Sequence, residues 1–265
     1  MPDLPGAAGA ASVLVAAPAA PALGGRYPEL ALGPVRLIRG SCLEVLPDFE
    51  GEADLLVTDP PYLLSSGGNG SQVMGGKFAR SRYDNSGRLM KVVRWGDMGE
   101  PFYRACRADA DAYVMTNDKN LPPAQAAFFA AGWRLHNILV WEKEFPTRNR
   151  WYMKELEFTT YLFKGKARTI RNPGSKQRFA CPRPRNAIHN TQKPVELFTH
   201  YILNSSDPGD LVLDPFSGSG TCLVAAMTSG RRGLAIELEP EMFEISSGRL
   251  RLAWDELRRR EDRAG

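Results

Sequence analysis

Histidine and cysteine are scarce in this 265-residue sequence, at three and four residues respectively. Cys42, Cys106, Cys181 and Cys222 are scattered, with no CxxC pair and no histidine at ligand spacing. That pattern excludes a zinc site of ordinary spacing and, in a chain this large, a disulfide framework. Unlinked cysteines fit a reducing cytoplasm. No run approaches the ~18 uncharged apolar residues of a membrane-spanning helix, so no membrane contact is expected. Charge of one sign is also in short supply: 34 Lys and Arg against 30 Asp and Glu leave a net +4. So small an excess permits a nucleic-acid partner only if it is clustered.

Glycine (25) and proline (20) are plentiful, and many of them lie in the first 33 residues among alanines. Such a segment cannot offset its ordering entropy by burial, so 1–33 is expected to be a disordered tail. Its patch Val13-Leu14-Val15 lacks a preceding basic region, which argues against a secretory signal. With 43% apolar and 24% charged residues, the remaining 34–265 suffices for one globular domain.

Strand patterns are expected at 35–38, 53–58, 112–116, 135–141, 158–163, 211–214 and 233–237. Helices are expected at 42–46, 98–106, 123–131, 195–204, 222–227 and from 240 onward. Their alternation predicts an α/β fold with a largely parallel sheet. Two strand ends carry chemistry. The first is the strand at 211–214 running into Asp214-Pro215-Phe216-Ser217-Gly218-Ser219-Gly220-Thr221. Gly218 and Gly220 let the backbone bend sharply and approach a ligand. Glu237, about 19 residues past Gly218, stands where doubly wound folds place a ribose-binding carboxylate. Leu223 replaces the third glycine of a dinucleotide loop, and no P-loop lysine follows, which disfavours NAD, FAD and ATP.

The second is Asp59-Pro60-Pro61-Tyr62, at the C-terminal end of the 53–58 strand, the edge at which open α/β sheets bind ligands. Prolines hold the carboxylate rigidly and contribute carbonyls without donors. The result is an acceptor cage suited to a planar amino group, with Tyr62 as an aromatic face for the ring that bears it.

Together these motifs resemble those of the β-class S-adenosylmethionine-dependent DNA amino-methyltransferases, with (D/N/S)PP(Y/F) first and FxGxG last. The resemblance spans 35–252 and includes Gln192-Lys193-Pro194 and Trp141-Glu142-Lys143. It implies a Rossmann-like, doubly wound fold with one antiparallel strand, circularly permuted motif order and a small target-recognition insertion. It also implies that Asp59 and the Pro60 carbonyl accept the target amino group, Pro61 fixes the turn and Tyr62 stacks on the extruded base. Phe216, Ser217, Gly218, Ser219, Gly220 and Thr221 would enclose the methionine part of the cofactor, with Asp214 beneath them. Glu237 would hold the ribose, and Lys193 would lie near the cofactor carboxylate. Where relatives often carry Asp near the cofactor adenine, this chain has Ser41-Cys42. Aspartate at the head of the tetrapeptide is the form of N6-adenine enzymes, whereas N4-cytosine enzymes more often carry serine. The resemblance further implies double-stranded DNA as partner, a nucleoid location and a homodimer.

The hidden charge cluster is the acid-free span 158–195, carrying Lys164, Lys166, Arg168, Arg171, Lys176, Arg178, Arg183, Arg185 and Lys193. It reads as a loop along phosphates, with 164–192 as the recognition region. Arg183, Arg185 and Asn186 are candidates for base edges. A second acid-free span, 63–83, has Lys77, Arg80 and Arg82 and reads as a mobile DNA-contacting loop. Cys181 precedes a proline, the reverse of a nucleophilic Pro-Cys turn, and reads as incidental. His136, His189 and His200 read as structural. N4-cytosine methylation and a catalytically inactive DNA-binding module remain the alternatives. Glutamine methyltransferases typically place the cofactor loop first, against the order here.

Overall fold

Alternate side chains of the central strands point to opposite faces and divide the molecule into layers. The computed structural model describes residues 25–61, 93–147, 152–185, 187 and 192–264. Among these, nine strands run β1 (Glu29–Leu32), β2 (Val35–Arg39), β3 (Ala53–Thr58), β4 (Cys106–Thr116), β5 (Arg134–Thr147), β6 (Lys154–Phe163), β7 (Arg178–Ala180), β8 (Leu211–Asp214) and β9 (Arg232–Glu237). The helices are α1 (Cys42–Val45), α2 (Gly99–Ala105), α3 (Leu121–Ala130), α4 (Val195–Ser205), α5 (Thr221–Thr228) and α6 (Pro240–Ala264). One sheet holds all the strands, in the order β1-β2-β9-β8-β3-β4-β6-β5-β7.

Leu56, Ala112, Val114, Leu213, Leu234 and Ile236 face one side and pack with Phe102 of α2 and Phe128 of α3. Their neighbours Leu55, Val57, Tyr113, Met115 and Val212 face the other, against Leu197 and Tyr201 of α4 and Ala225 of α5. At the β2 side, Val35, Leu37 and Ala235 meet Leu223 of α5 and Leu250 of α6. Covered on both faces, β3 is buried at all six positions, as central parallel strands are. Each Leu or Ile so buried contributes roughly 1.5–3 kcal/mol.

The chain leaves β3 for β4 in one direction along the sheet, and leaves β8 for β9 in the other. Yet β3 and β8 are parallel neighbours, with Leu55 opposite Val212 and Leu56 opposite Leu213. This is a topological switch point, and the crevice beyond the carboxyl ends of such strands is where α/β sheets bind ligands.

Three expectations need correction. The tail does not extend to residue 33: Glu29–Leu32 forms β1, antiparallel to β2. Leu30 is buried in the cluster that includes Leu250, and Glu29 pairs with the buried Arg36. Gly33, at φ +53, turns the chain, and a side chain there would strike the Trp254 ring. Residues 1–24 lie outside the described residues. The single antiparallel strand expected is β6, paired with β4 and β5; β1 makes a second. Within the basic span a short strand, β7, adds in parallel to β5, against the expectation of a loop throughout.

Phe102, fully buried, packs edge-on to Phe128 (6.0 Å) and to Phe216 of the glycine loop (5.9 Å). Phe102→Ala is expected to cost about 3–5 kcal/mol in chemical denaturation. A loss under about 1 kcal/mol would contradict this packing.

Candidate active site

Both motifs emerge at the switch point, and a buried hydrogen bond joins them. Thr58, the last residue of β3, donates its hydroxyl to Asp214 Oδ1 (2.8 Å), at the end of β8 and 156 positions away. The same oxygen accepts the Phe216 N–H (3.1 Å), so one carboxylate ties the Asp59 turn to the glycine loop. Burial pushes the Asp214 carboxyl up to about 7, the Thr58 and Phe216 bonds pulling it back.

In the loop, the Ser217 N–H donates to Ile236 O (2.8 Å) and the Gly220 N–H to Ser217 O (2.9 Å). Gly218 and Gly220 have φ of +52° and +79°, where glycine carries no steric cost. At Gly220 a Cβ would also lie 2.4 Å from Ser246 Oγ on α6, so that position is closed to other residues twice over. Glu237 closes the arrangement from β9. Its Oε2 accepts the Gly218 N–H (2.8 Å) and its Oε1 the Glu239 N–H (2.9 Å). Burial raises this carboxyl and backbone N–H groups lower it. Ser41 stands beside it: it caps α1 through its backbone carbonyl, and the preceding Gly40 N–H donates to Glu237 O (2.9 Å). Cys42 is buried, its thiol pushed up to about 12.

Pro60 is buried and Pro61 half-buried; Tyr62 lies outside the described residues. Asp59 keeps 23% of its side chain exposed. Lys193, expected near a cofactor carboxylate, bonds to Asp59 Oδ2 at 2.5 Å and approaches Glu157 Oε2 at 3.4 Å. Burial raises the Asp59 carboxyl, with Lys193 opposing.

Two residues of the site carry no motif signal. Arg249 on α6 donates through Nη1 to Ser219 O (3.0 Å), Ser219 Oγ (3.1 Å) and Thr221 Oγ1 (2.9 Å), bracing the glycine loop from behind. Glu157 on β6 meets Lys193 and also Lys143 of β5, whose Nζ is 3.1 Å from Glu157 Oε1. Pairing Trp141 with Glu157 across β5 and β6 would have revealed Glu157; helix periodicity alone could not single out Arg249.

The basic span does not form one face. Because β6 runs antiparallel, Phe163 ends at the sheet edge remote from Asp59. There Lys164 donates to the carbonyls of Tyr103 (2.7 Å) and Cys106 (2.6 Å) and lies over the Tyr103 ring. It is an internal brace rather than a phosphate contact. The Lys166 N–H donates to Asp109 (2.6 Å) at the same edge, Arg168 acts on Asp111, and Arg171 pairs with Asp207. After Lys176, which is exposed, β7 carries the chain alongside β5. Arg178 there reaches Glu142 (3.2 Å), Arg183 lies near Lys143, and Arg185 is exposed. Lys77, Arg80, Arg82, Asn186 and His189 lie outside the described residues.

Cys181 accepts the Trp141 indole N–H at its carbonyl (2.9 Å), and burial pushes its thiol up to about 11, far from a thiolate nucleophile. His136 packs against Tyr161 and Phe163, and His200 against Phe179. Burial lowers the pKa of both, as in packed, neutral rings. Among the described residues no three His, Cys, Asp or Glu side chains converge as metal ligands, and no helix is long and apolar enough to cross a membrane.

A family model described as DNA methylase matches residues 53–247. Among relatives, YubD of Escherichia coli (strain K12) is 29% identical over 220 residues, covering 81% of this chain and 89% of its own. The type II methyltransferase M.HinfI of Haemophilus influenzae is 25% identical over 245 residues, covering 81% and 68%. Two solved structures share the fold. The M1.HpyAVI–SAM complex has a TM-score of 0.63 at 21% identity, covering 81% of this chain and 99% of that one. The cytosine-N4-specific PvuII DNA methyltransferase has a TM-score of 0.66 at 15% identity, covering 87% and 95%.

The raised Asp214 carboxyl sets a pH dependence. A buried acid whose folded pKa lies above its unfolded value stabilises below the unfolded value, and that stabilisation is lost as pH rises through about 4 to 7. Asp214→Asn keeps an acceptor for Thr58 but no longer titrates. Relative to this variant, the wild-type melting temperature is expected to fall between pH 5 and 8. Parallel melting curves for the two proteins would overturn the assignment.

Proposed function

The chain belongs to the DNA methylase family, and on that premise we propose that it methylates the exocyclic N6 of an adenine extruded from duplex DNA, using S-adenosylmethionine. The carrying observation is the Thr58–Asp214 bond, which brings the Asp59 turn and the glycine loop to adjacent strand ends. A cage that accepts amino hydrogens beside a cradle opened by two glycines is the arrangement amino-group methylation requires.

The residues present fit the cofactor. A side chain at Gly220 would fill space needed by Ser246, so the loop stays tight, and the segment 216–221 would enclose the methionine part. Glu237, oriented by backbone donors on both oxygens, would take the ribose hydroxyls. Ser41, two residues beyond β2 beside Glu237, would reach the adenine edge, next to Cys42. Lys193 would bear on the carboxylate. When bound, the cofactor supplies an electrophilic methyl group.

The chain's own part is polar and proton-directed. Asp59 and the Pro60 carbonyl accept the two amino hydrogens and draw the nitrogen lone pair out of ring conjugation, towards the methyl group. Neither Pro60 nor Pro61 has an N–H to compete for those acceptors. Tyr62 stacks on the extruded ring. No histidine or thiolate is needed, which agrees with the packed state of His136, His200 and Cys181. Aspartate rather than serine at position 59 favours adenine over cytosine. Arg178, Arg183 and Arg185, on the stretch that returns towards the site through β7, would contact DNA. Lys77, Arg80 and Arg82, in the segment that follows Tyr62, would do so too. So short a recognition stretch favours a homodimer acting on DNA in the cytoplasm.

Duplex DNA treated with the protein and cofactor, digested and analysed by mass spectrometry, is expected to yield N6-methyldeoxyadenosine. N4-methyldeoxycytidine would reassign the base, and no methylated nucleoside would leave only a binding module. Asp59→Ala is expected to lower transfer on the order of 10²–10³-fold, with S-adenosylhomocysteine affinity within about threefold of wild type. Undiminished transfer would overturn the role of Asp59.

A further inference from the structure

Four charged side chains of alternating sign stand in a row at the catalytic edge. Lys193 bonds to Asp59 (2.5 Å) and approaches Glu157 (3.4 Å), and Lys143 bonds to the other oxygen of Glu157 (3.1 Å). They come from four separate places: the end of β3, the segment before α4, β6 and β5. Both lysines are deep, with side chains 4% (Lys143) and 9% (Lys193) exposed. Buried cations of this kind are held by hydrogen-bonded partners. Asp59 and Lys193 alone would satisfy that need as a closed pair. Glu157 makes the arrangement different, because it is a second anion competing for the same ammonium.

A carboxylate closed onto an ammonium is a poorer acceptor for a third group than one that shares the ammonium with a rival. We propose that Glu157 is a positioning residue: anchored by Lys143, it shares Lys193 with Asp59 and so keeps Asp59 the stronger hydrogen-bond acceptor for the target amino group. Strand geometry serves this end. The ladder of β5 and β6 shifts register between Glu142 and Thr147, and such irregularities re-aim side chains beside active sites. Lys143 turns inward, whereas Phe145 is 71% exposed.

Among the described residues, several charges act on this chain. Asp59 feels Lys193 and Glu157 and is itself felt by Asp214. Glu157 feels Lys193 and Lys143, and Lys143 also feels Arg183. Glu157 raises the Asp59 carboxyl as a like charge and Lys193 lowers it. Removing Glu157 therefore lowers it on both counts: the like charge is gone and the ammonium closes on Asp59. Removing Lys143 acts oppositely, because Glu157 then turns its full charge towards Lys193.

The proposal rests on the methyl-transfer reading, and two readouts separate them. In ligand-free protein, the Asp59 carboxyl carbon is followed by NMR against pH. Glu157→Gln is expected to move its titration to lower pH, Lys143→Met to higher pH, and Glu157→Asp to leave it near wild type. In steady-state assays Glu157→Gln is expected to lower kcat about 10- to 100-fold. Its acid limb moves to lower pH with the Asp59 titration, and affinity for S-adenosylhomocysteine changes less than about threefold. Glu157→Asp recovers most of kcat. An unmoved Asp59 titration in Glu157→Gln, or the same direction of movement in both Gln and Met variants, overturns the proposal. So does an unchanged kcat in a wild type that is active. If Glu157→Gln does not fold, Lys143→Met decides alone: movement to higher pH supports, any other result overturns. A wild type that transfers no methyl group removes the functional reading, while the titrations still decide whether Lys193 is shared.

Discussion

The hydrogen bond from Thr58 to Asp214 is the constraint on which the rest of the site hangs. It is buried, it joins the ends of two parallel strands, and its acceptor oxygen also holds the first turn of the glycine loop. Without it, the turn bearing Asp59 and the loop bearing Gly218 and Gly220 would be connected only through the ladder of β3 and β8, which is paired at Leu55 and Leu56 and not beyond. The cost is a carboxyl kept out of water. Few donors can compensate it, and one of them is a side chain, so Thr58 is as much a part of the site as the residues it positions.

Local chemistry was legible wherever a strand ended in an unusual sequence. Asp-Pro-Pro cannot continue a ladder, and a Gly-x-Gly after a buried strand cannot be an ordinary helix start, so both turns announce themselves. What was not legible is pairing across the sheet. Lys193 follows a glutamine and precedes a proline, and nothing in that setting says that its ammonium meets Asp59. Glu157 looks like one more alternating residue of a half-buried strand until β6 is set beside β5. Arg249 sits on a helix rich in arginine, and only its approach to Ser219 and Thr221 distinguishes it.

The basic span shows the same limit from the other side. Absence of acid over a long stretch is a property of the sequence, but which way each cation points depends on the sheet direction. The reversal of β6 sends Lys164 to the edge away from the site, where carbonyls and a tyrosine ring take it up. Composition thus located a cationic segment correctly, and topology then distributed its members between bracing and exposure. The short β1 is a comparable case: an Ala, Pro and Gly background hides a Leu-Ala-Leu strand whose turn is set by Gly33 against Trp254.

The strand order has a consequence for how this molecule is made. β2 and β3 are consecutive in the chain, yet β9 and β8 lie between them in the sheet. A nascent chain emerging from the ribosome therefore produces two sheet fragments that cannot be joined until the chain has been made through β9, to Glu237, each with an unpaired edge of buried-type residues such as Leu37 and Leu55. Closure by insertion of late strands is non-local pairing, which is slow and leaves those edges open to wrong partners. The central position of the glycine-loop strand makes the last-synthesised third of the protein the keystone of its assembly.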